Sequence, residues 1–190
     1  MQIIDTALPE VKIIVPDVFG DQRGYFFESW NEEKYLSSGI NCRWVQDNES
    51  RSKYGVLRGL HYQAAPYTQA KLVRVIEGKV LDVTVDIRKG SPSFGKYAAV
   101  ELSAENKYQL FIPRGFAHGF VVLSESVIFA YKCDNAYMPS HERGIAFDDP
   151  ALGIDWQIAP DKLILSAKDM KNPLFADAEF FDYNSREYLQ

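Results

Sequence analysis

The clearest pattern in the chain is a strict alternation of apolar and polar residues across residues 80–88. Successive side chains of a β-strand point to opposite faces, so this period of two predicts a strand with one apolar and one polar face. The apolar face is formed by Leu81, Val83, Val85 and Ile87, and the opposite face by Asp82, Thr84, Asp86 and Arg88. Gly78 and Gly90 mark turns at the two ends of this strand.

Patterns typical of β-strands continue through most of residues 42–137. Across residues 127–133, an alternation places Tyr131 on the same face as Val127 and Phe129, which indicates a phenol that points inward. Many short strands separated by glycine and proline are typical of a β-sandwich or jelly roll. We therefore predict a mainly all-β fold.

The two ends of the chain add shorter elements to this predicted β-core. The N-terminal pattern predicts a strand at residues 11–15, a turn at 21–24, an extended aromatic stretch at 25–30 and a helix from Asn31 to about Ser38. Near the C-terminus, Ser166 and Asp169 match a helix-capping pattern and predict short helices packed against the core. We predict one domain over residues 1–190, with an N-terminal strand arm and a C-terminal helical segment.

Composition and charge narrow the classes of function. Of the 190 residues, 46% are hydrophobic, which is enough for a packed core in one domain, and 14% are aromatic, which favours sheets and a lined pocket. The net charge of −5 argues against nucleic acid or an anionic membrane as a partner. It still permits a small anionic ligand that is held by a few local cations.

The compartment can also be predicted from composition. No run approaches the roughly 20 apolar residues that span a bilayer, and the first residues lack the pattern of a signal peptide. Cys42 and Cys133 are the two cysteines, and they predict reduced thiols. We therefore expect a cytoplasmic protein without a membrane partner.

Charged side chains are concentrated in two apolar, glycine-marked segments, residues 55–63 and 113–120. Arg58 and His61 lie in the first, His118 lies in the second, and Lys71 follows the first. A single histidine in a strand is commonly a core residue bonded to a carbonyl, but burying several such groups unpaired costs several kcal/mol. Together they fit proton abstraction next to a carbonyl, with a histidine base, a lysine that stabilises negative charge and an arginine that binds phosphate.

The spacing of Arg58 and His61 raises a geometric difficulty. Residues three apart on a regular strand face opposite sides of the sheet. Both side chains can enter one cavity only if the strand bulges or bends, which Gly59 permits. On a regular strand, one of the two would bind something elsewhere.

A metal site is an alternative explanation for the histidines. Jelly rolls of the cupin type often bind a metal through a His-x-His pair, a Glu and a later His, and residues 113–118 resemble the later motif. Gln63, however, occupies the second position of the expected His-x-His pair. His61 and His118 alone are fewer than the three protein ligands of a typical catalytic site. We therefore expect no catalytic metal.

Tyr131 and Asp169 could act together with His61, although each also has a structural explanation. Tyr131 is either a core tyrosine or a proton donor on the far side of a substrate, since inversion at carbon needs an acid opposite the base. Asp169 is either the carboxylate of a helix start or the partner that fixes the tautomer of His61. For several other polar residues, the local sequence favours a turn, an ion pair or a surface charge: Arg23, Glu28, Gln46, Asp47, Asn48, Glu142 and Lys168.

Several long strings of residues carry a family resemblance from about residue 3 to Asp169. They are FGDxRGxFxE at 19–28, QDNxS at 46–50, GVLRGLHYQ at 55–63, KLV at 71–73, DVxVDxR at 82–88, SPxFG at 91–95 and IPxGFAHGF at 112–120. In these strings the chain resembles the dTDP-4-dehydrorhamnose 3,5-epimerase family. The resemblance implies a cupin-type jelly-roll homodimer that needs no metal or organic cofactor.

The resemblance also implies a reaction. The substrate would be dTDP-4-dehydro-6-deoxy-α-D-glucose, epimerised at C3 and C5 to dTDP-4-dehydro-β-L-rhamnose in the biosynthesis of dTDP-L-rhamnose. His61 would be the base, paired with Asp169, and Tyr131 would be the acid on the opposite face. Lys71 would lie beside the C4 oxygen, where the charge of the enolate develops.

A larger set of substrate-binding residues is implied by the same resemblance. Tyr137 would stack on the thymine ring, although Ala136 beside it replaces an aromatic residue that family members often carry. Arg23 and Glu28 would reach the ligand from an N-terminal arm, either of this chain or of a second subunit. The other contacts would come from Gln46, Asp47, Asn48, Arg58, Lys71, His118, Glu142 and Lys168.

Two other functions remain open at this point. The first is a 3-epimerase or ketoisomerase that acts on another 4-keto nucleotide sugar on the same scaffold. The second is a protein that binds a nucleotide sugar without catalysis, which would keep Arg58 and Tyr137 but would not require His61 together with Tyr131.

Overall fold

The computed structural model describes residues 1–189, which form short β-strands, one α-helix and several single turns of 3₁₀-helix. The strands are β1 (Gln2–Asp5), β2 (Lys12–Val15), β3 (Val18–Asp21), β4 (Gly24–Phe27), β5 (Gln46–Lys53), β6 (Leu57–Gln63), β7 (Lys71–Glu77), β8 (Lys79–Asp86), β9 (Arg88–Lys89), β10 (Tyr97–Ser103), β11 (Gln109–Ile112), β12 (Phe116–Val122), β13 (Ser126–Cys133), β14 (Glu142–Gly144) and β15 (Phe181–Asp182). The α-helix, α1, spans Glu32–Ser37.

Two antiparallel sheets make up most of the molecule. The first has six strands in the order β1-β2-β11-β7-β13-β5, and the second has five in the order β10-β8-β12-β6-β14. Strands that are distant in the chain lie side by side in both sheets, as in a jelly roll. The predicted mainly β fold, a sandwich of the cupin-type jelly-roll kind, is confirmed.

Strand β8 shows how the sandwich creates a polar interior. Its apolar face packs with Ile145, Trp156 and Phe181, which follow β14 and cover the outside of the five-stranded sheet. Its polar face, with Asp82 and Thr84, is also fully buried. The alternation predicted for this strand is therefore present, but both faces are buried because the C-terminal segment covers the apolar one.

The space between the sheets is only partly filled by apolar side chains. A continuous core includes Val73, Leu110, Phe120, Val127 and Phe129. The rings of Phe120 and Phe129 are stacked, with centroids 4.2 Å apart, and both also line the cavity described below. The apolar core thus forms one wall of a cavity inside the sandwich.

The helix near the N-terminus matches its prediction. The side chain of Asn31 accepts a hydrogen bond from the backbone N–H of Lys34 at 3.1 Å, which satisfies one of the free donors of the first turn. Gly39 follows α1 with φ +84°, a conformation that glycine adopts readily and that ends helices.

The predicted C-terminal helical segment consists of single turns of 3₁₀-helix. This segment contains turns of 3₁₀-helix at Pro160–Lys162, Asp169–Lys171, Phe175–Asp177 and Glu187–Leu189. Ser166 still makes the predicted cap, because its hydroxyl accepts from the N–H of Asp169 at 3.0 Å. The turns stay short because the segment packs along the sheet surface, where apolar side chains lack helical periodicity.

Strands β3 and β4 form a hairpin that carries large apolar side chains on its surface. Val18, Phe19, Tyr25 and Phe26 are 45%, 66%, 60% and 69% exposed. No helix within residues 1–189 is long and apolar enough to cross a membrane.

Candidate active site

A cavity of about 540 Å³ opens between the two sheets. A volume of this size lies within the range of pockets that hold small molecules. Its walls come from β5, β6, β7, β12 and β13, and from residues 164–169, which run past the start of β6. The polar lining includes Gln46, Asn48, Ser50, Arg58, His61, Gln63, Gln69, Lys71, His118, Tyr131, Tyr137, Glu142, Ser166, Lys168 and Asp169.

Strand β6 supplies both Arg58 and His61 to this cavity, which resolves the predicted conflict in their spacing. Gly59 between them has φ +137°, and the pairing of β6 with β12 is irregular at this point. A Cβ atom on Gly59 would lie 2.5 Å from the Cα of Gly119 on β12. Glycine at both positions therefore lets the strands approach closely while β6 departs from regular alternation.

His61 is paired with a carboxylate from the far end of the chain. Its Nε2 lies 2.5 Å from Oδ1 of Asp169, which is only 5% exposed and also accepts from the hydroxyl of Ser166 at 2.8 Å. Burial opposes the charge of Asp169, but the hydrogen bond and charge of His61 outweigh it and lower the pKa of the carboxyl. Asp169 therefore belongs to a turn cap and to the His61 pair at once.

Tyr131 enters the same cavity from the opposite sheet. It lies on β13 of the six-stranded sheet, whereas His61 lies on β6 of the five-stranded sheet. Burial raises the pKa of the phenol, so the hydroxyl keeps its proton at neutral pH. The cavity thus has an imidazole and a protonated phenol on opposing walls.

Lys71 at the start of β7 places a cation in the cavity wall. Its ammonium makes no hydrogen bond or ion pair with any side chain of residues 1–189. Burial lowers its pKa, while the carboxylates of Asp82 and Glu142 act in the opposite direction. Such a cation is available to a ligand that carries or develops negative charge.

A second histidine–carboxylate pair lies deeper in the sandwich. Nε2 of His118 on β12 lies 3.0 Å and 2.9 Å from the two carboxylate oxygens of Asp82 on β8. Burial lowers the pKa of His118. Asp82 was not predicted as a site residue; the signal that could have identified it is its place on the polar face of a strand flanked by buried strands.

A network of polar side chains surrounds the open side of the cavity. Glu142 on β14 accepts a hydrogen bond from the hydroxyl of Tyr137 and lies 2.5 Å from the ammonium of Lys168. Burial opposes the charge of Glu142, but Lys168 and Tyr137 together lower its pKa. The side-chain oxygen of Gln46 accepts from the backbone N–H of Tyr137 at 3.1 Å. Glu142 and Lys168 are therefore part of the site and not isolated surface charges.

The arrangement of the site can be compared with known proteins. A family model described as dTDP-4-dehydrorhamnose 3,5-epimerase matches residues 5–177. The chain belongs to the dTDP-4-dehydrorhamnose 3,5-epimerase family. It is 52% identical over 182 residues to the dTDP-4-dehydrorhamnose 3,5-epimerase of Shigella flexneri, a match that covers 95% of this chain and 99% of that one.

Two solved structures of epimerases are similar to the whole chain. The first is the dTDP-6-deoxy-D-glucose-3,5-epimerase of Legionella pneumophila in complex with dTDP-4-keto-L-rhamnose, with a TM-score of 0.92, 50% identity and coverage of 96% and 98% of the two chains. The second, with a TM-score of 0.88, 31% identity and coverage of 98% of each chain, is a 3'-monoepimerase from Streptomyces bikiniensis in complex with dTDP-quinovose.

Three of the residues assigned by resemblance to the epimerase family do not line the cavity of a single chain. Asp47 points away because it alternates with Gln46 and Asn48 on β5, and it pairs with Lys132 at 2.9 Å on the outer face. Arg23, which is 85% exposed at its side chain, pairs with its near neighbour Asp21 in the β3–β4 hairpin. Glu28 pairs with Lys34 at 2.9 Å.

Several polar residues of the epimerase cavity were missed from the sequence. Gln63 is buried, and its amide nitrogen donates to the carbonyl of Tyr67 at 2.6 Å while its oxygen accepts from the N–H of Met138 at 2.6 Å. It therefore attaches the loop that carries Tyr137 to β6, and its position two residues after His61 is the signal that places it on the same side. Ser50, Gln69 and Cys133 also line the cavity.

The cysteines and histidines of residues 1–189 form neither a disulfide nor a metal-binding group. Cys42 and Cys133 are free thiols, as predicted, and burial raises the pKa of Cys133 to about 11. Within the described part of the chain, no group of three or more His, Cys, Asp or Glu side chains is placed to hold a metal ion.

Proposed function

We propose that this protein epimerises dTDP-4-dehydro-6-deoxy-α-D-glucose at C3 and C5 to give dTDP-4-dehydro-β-L-rhamnose in dTDP-L-rhamnose biosynthesis. The observation that carries the proposal is the placement of His61 and Tyr131 on opposing walls of one cavity. Membership of the epimerase family and similarity to a structure that contains dTDP-4-keto-L-rhamnose support it.

The base in this reaction is His61. The C4 ketone acidifies the C–H bonds at C3 and C5, so one base can remove either proton if the sugar presents each carbon in turn and if water returns the imidazolium and the phenolate to their starting protonation between the two steps. The carboxylate of Asp169 holds the Nε2–H of His61, which leaves Nδ1 with its lone pair as the proton acceptor, and it stabilises the imidazolium that forms.

Lys71 stabilises the charge that develops when the proton leaves. Removal of the C3 or C5 proton places negative charge on the C4 oxygen as an enolate. An ammonium that is already fixed in the cavity wall lowers the energy of this intermediate without reorganising solvent. The loss of one such contact costs on the order of 3–4 kcal/mol in comparable oxyanion sites.

Tyr131 returns a proton to the face opposite His61, which inverts the configuration at carbon. Its hydroxyl remains protonated because burial raises the pKa of the phenol. The charge of Arg58 acts against the effect of burial on the pKa of Tyr131 and stabilises the phenolate that forms after transfer.

The remaining cavity residues bind the nucleotide part of the substrate. Arg58 and Lys168 offer positive charge to the diphosphate at the open side. Tyr137 stacks on the thymine ring, and Gln46 and Asn48 offer amide groups beside it. His118 lies farther in, where it contacts the sugar.

The test is NMR of the 4-keto sugar nucleotide in D₂O with the purified protein. We expect deuterium at both C3 and C5 and the appearance of the L-rhamno product. Deuterium at C3 alone would contradict the double reaction and favour the alternative of a 3-epimerase, a reaction named for the similar S. bikiniensis protein. Binding of dTDP without any exchange would contradict catalysis.

We also propose that the protein is a homodimer whose β3–β4 hairpins dock on the partner. A two-stranded hairpin with exposed Phe19 and Phe26 has little stability of its own. Docking would cover these rings and could bring Arg23 and Glu28 to the partner's ligand. Sedimentation equilibrium should show a dimer that the double substitution Phe19→Ser and Phe26→Ser converts to monomer, and a wild-type monomer would contradict the proposal.

The cytoplasm is the proposed compartment of this enzyme. Two free thiols in one chain are typical of a reducing environment. Nucleic acid is not proposed as a partner because the net charge is −5 and the cations of the site face a small cavity.

A further inference from the structure

Asp82 is a carboxylate inside the sandwich that the proposed chemistry does not yet use. It is 0% exposed and lies on the inward face of β8, next to Val80 and Thr84. Both of its oxygens are within hydrogen-bond distance of Nε2 of His118, at 3.0 Å and 2.9 Å. Within residues 1–189, its side chain makes no other hydrogen bond.

Burying a carboxylate is unfavourable unless a partner compensates for lost hydration. The neighbouring inward position, Val80, carries an ordinary core side chain. A carboxylate at position 82 therefore contributes less to packing than valine would, and its evident consequence is the orientation of His118.

The contact fixes which nitrogen of His118 carries the proton. An ionised carboxylate can only accept hydrogen bonds, so Nε2 must be the protonated nitrogen. The ionisable groups that act on His118 are Lys71 on β7 and His61 on β6, which lower its pKa along with burial, and Asp82 on β8, which raises it. Burial prevails and the ring is neutral, so Nδ1 is an acceptor.

We propose that Asp82 is a positioning residue that holds the neutral imidazole of His118 in the tautomer whose Nδ1 accepts a hydrogen bond from a hydroxyl of the bound sugar. The assignment rests on the proposed function only for the identity of that ligand. The two histidines that line the cavity, His61 and His118, then each have a buried carboxylate partner. His141, which does not line the cavity, instead has the hydroxyl of Ser140 beside Nδ1 at 3.0 Å.

The sharpest variant is Asp82→Asn, which keeps the shape of the side chain but replaces one acceptor oxygen by a donor. The amide N–H₂ can donate to Nε2 of His118, and the imidazole proton then moves to Nδ1. A ring that offered an acceptor to the sugar hydroxyl would now offer a donor. The mismatch is expected to lower kcat/KM roughly 10- to 100-fold, because a buried polar contact is left unsatisfied.

The direct readout is the ¹⁵N chemical shift of the imidazole nitrogens, which distinguishes the two neutral tautomers and the cation. The chain has only 3 histidines, so His118 can be assigned by comparison with His118→Asn and His141→Asn. In the wild type we expect the Nε2–H tautomer of His118, and in Asp82→Asn we expect the Nδ1–H tautomer. This readout needs no substrate and therefore tests the proposal independently of the proposed function.

Two matched variants complete the experiment. Thr84→Val changes a residue on the same face of β8, equally buried and with a hydroxyl that has no hydrogen-bond partner, and it should leave the tautomer and kcat/KM within about twofold. Asp82→Glu keeps a carboxylate and should keep the Nε2–H tautomer. This variant still tests the proposal if Asp82→Asn fails to fold.

The proposal would be overturned by a wild-type His118 that is protonated or carries its proton on Nδ1. An unchanged tautomer in Asp82→Asn would also overturn it. So would a changed tautomer with full kcat/KM, because Asp82 would then orient a ring on which turnover does not depend. If the wild type showed no epimerase activity but the expected tautomers, only the proposed function would fail.

Discussion

Replacing His61 with asparagine is expected to abolish detectable exchange of the C3 and C5 protons, with a loss of about 10²–10⁴ in rate at the least. Asparagine retains a polar group of similar size but has no nitrogen that can accept a proton at neutral pH. The measurement is deuterium incorporation into the 4-keto sugar nucleotide in D₂O, followed by NMR at both carbons.

The His61→Asn substitution should leave nucleotide binding largely intact even though exchange is lost. The groups proposed to bind the diphosphate and thymine, including Arg58 and Tyr137, do not depend on the imidazole. Calorimetric titration with dTDP should therefore give an affinity for His61→Asn within a few-fold of the wild type. This combination separates an enzyme from a binding protein. A binding protein would show no exchange even in the wild type and would not require His61.

A matched control for this variant is His141→Asn. His141 is the histidine that does not line the cavity; its ring packs edge-on against Tyr67, with centroids 4.5 Å apart. The same chemical change there should leave the exchange rate within about twofold of the wild type. Exchange that survived in His61→Asn would show that another group removes the proton, and the proposed mechanism would then be wrong.

The fold could be predicted from sequence because β-structure leaves a local signature. The alternation across residues 80–88, the turn glycines and the Asn31 cap each reflect a rule that acts within a few residues. The covering of β8 on both faces could not be predicted in this way. It depends on residues such as Trp156 and Phe181, which reach the sheet only in the folded chain.

The sequence indicates which residues belong to the candidate site better than it indicates how they are arranged. His61 and Asp169 are 108 residues apart, and no local rule brings them together. The return of the C-terminal segment along β6, through the bridge of Val56 to Ile164, places Asp169 beside the imidazole. The sequence therefore indicates two candidate groups, and the topology makes them a pair.

The predicted site residues that do not line the cavity of one chain illustrate the same limit. Asp47 was grouped with Gln46 and Asn48 because the three are adjacent, but adjacency along a strand places neighbours on opposite faces. Arg23 and Glu28 lie on an arm whose orientation is not determined by contacts within one chain. Conversely, Asp82 and Gln63 were missed because a buried polar residue cannot be distinguished from a surface residue by its type alone.

The sandwich offers a structural reason why the proposed site would both remove and return a proton. Its two sheets belong to different parts of the hydrogen-bonded framework, so His61 and Tyr131 are held apart by the rigid spacing of packed sheets. A flat sugar enolate between them exposes one face to each group. In the proposed mechanism, inversion follows from the placement of the two groups on opposing sheets.

Replacing Tyr131 with phenylalanine is expected to separate exchange from inversion. The variant lacks the hydroxyl that protonates the enolate from the six-stranded side, so formation of epimerised product should fall by about 10²–10⁴. His61 can still remove a proton, exchange it with solvent and return a deuteron to the same face. NMR should therefore show substrate that gains deuterium at C3 or C5 while its configuration is retained.

A tyrosine outside the cavity provides the control for this variant. Tyr108 packs against the same apolar core as Tyr131 but does not line the cavity, so Tyr108→Phe should leave both exchange and epimerisation within about twofold of the wild type. Epimerisation near the wild-type rate in Tyr131→Phe would mean that water or another group delivers the proton. Loss of both exchange and inversion would instead mean that the phenol is needed before the enolate forms. Only exchange with retained configuration agrees with an imidazole and a phenol that act on opposite faces of one bound sugar.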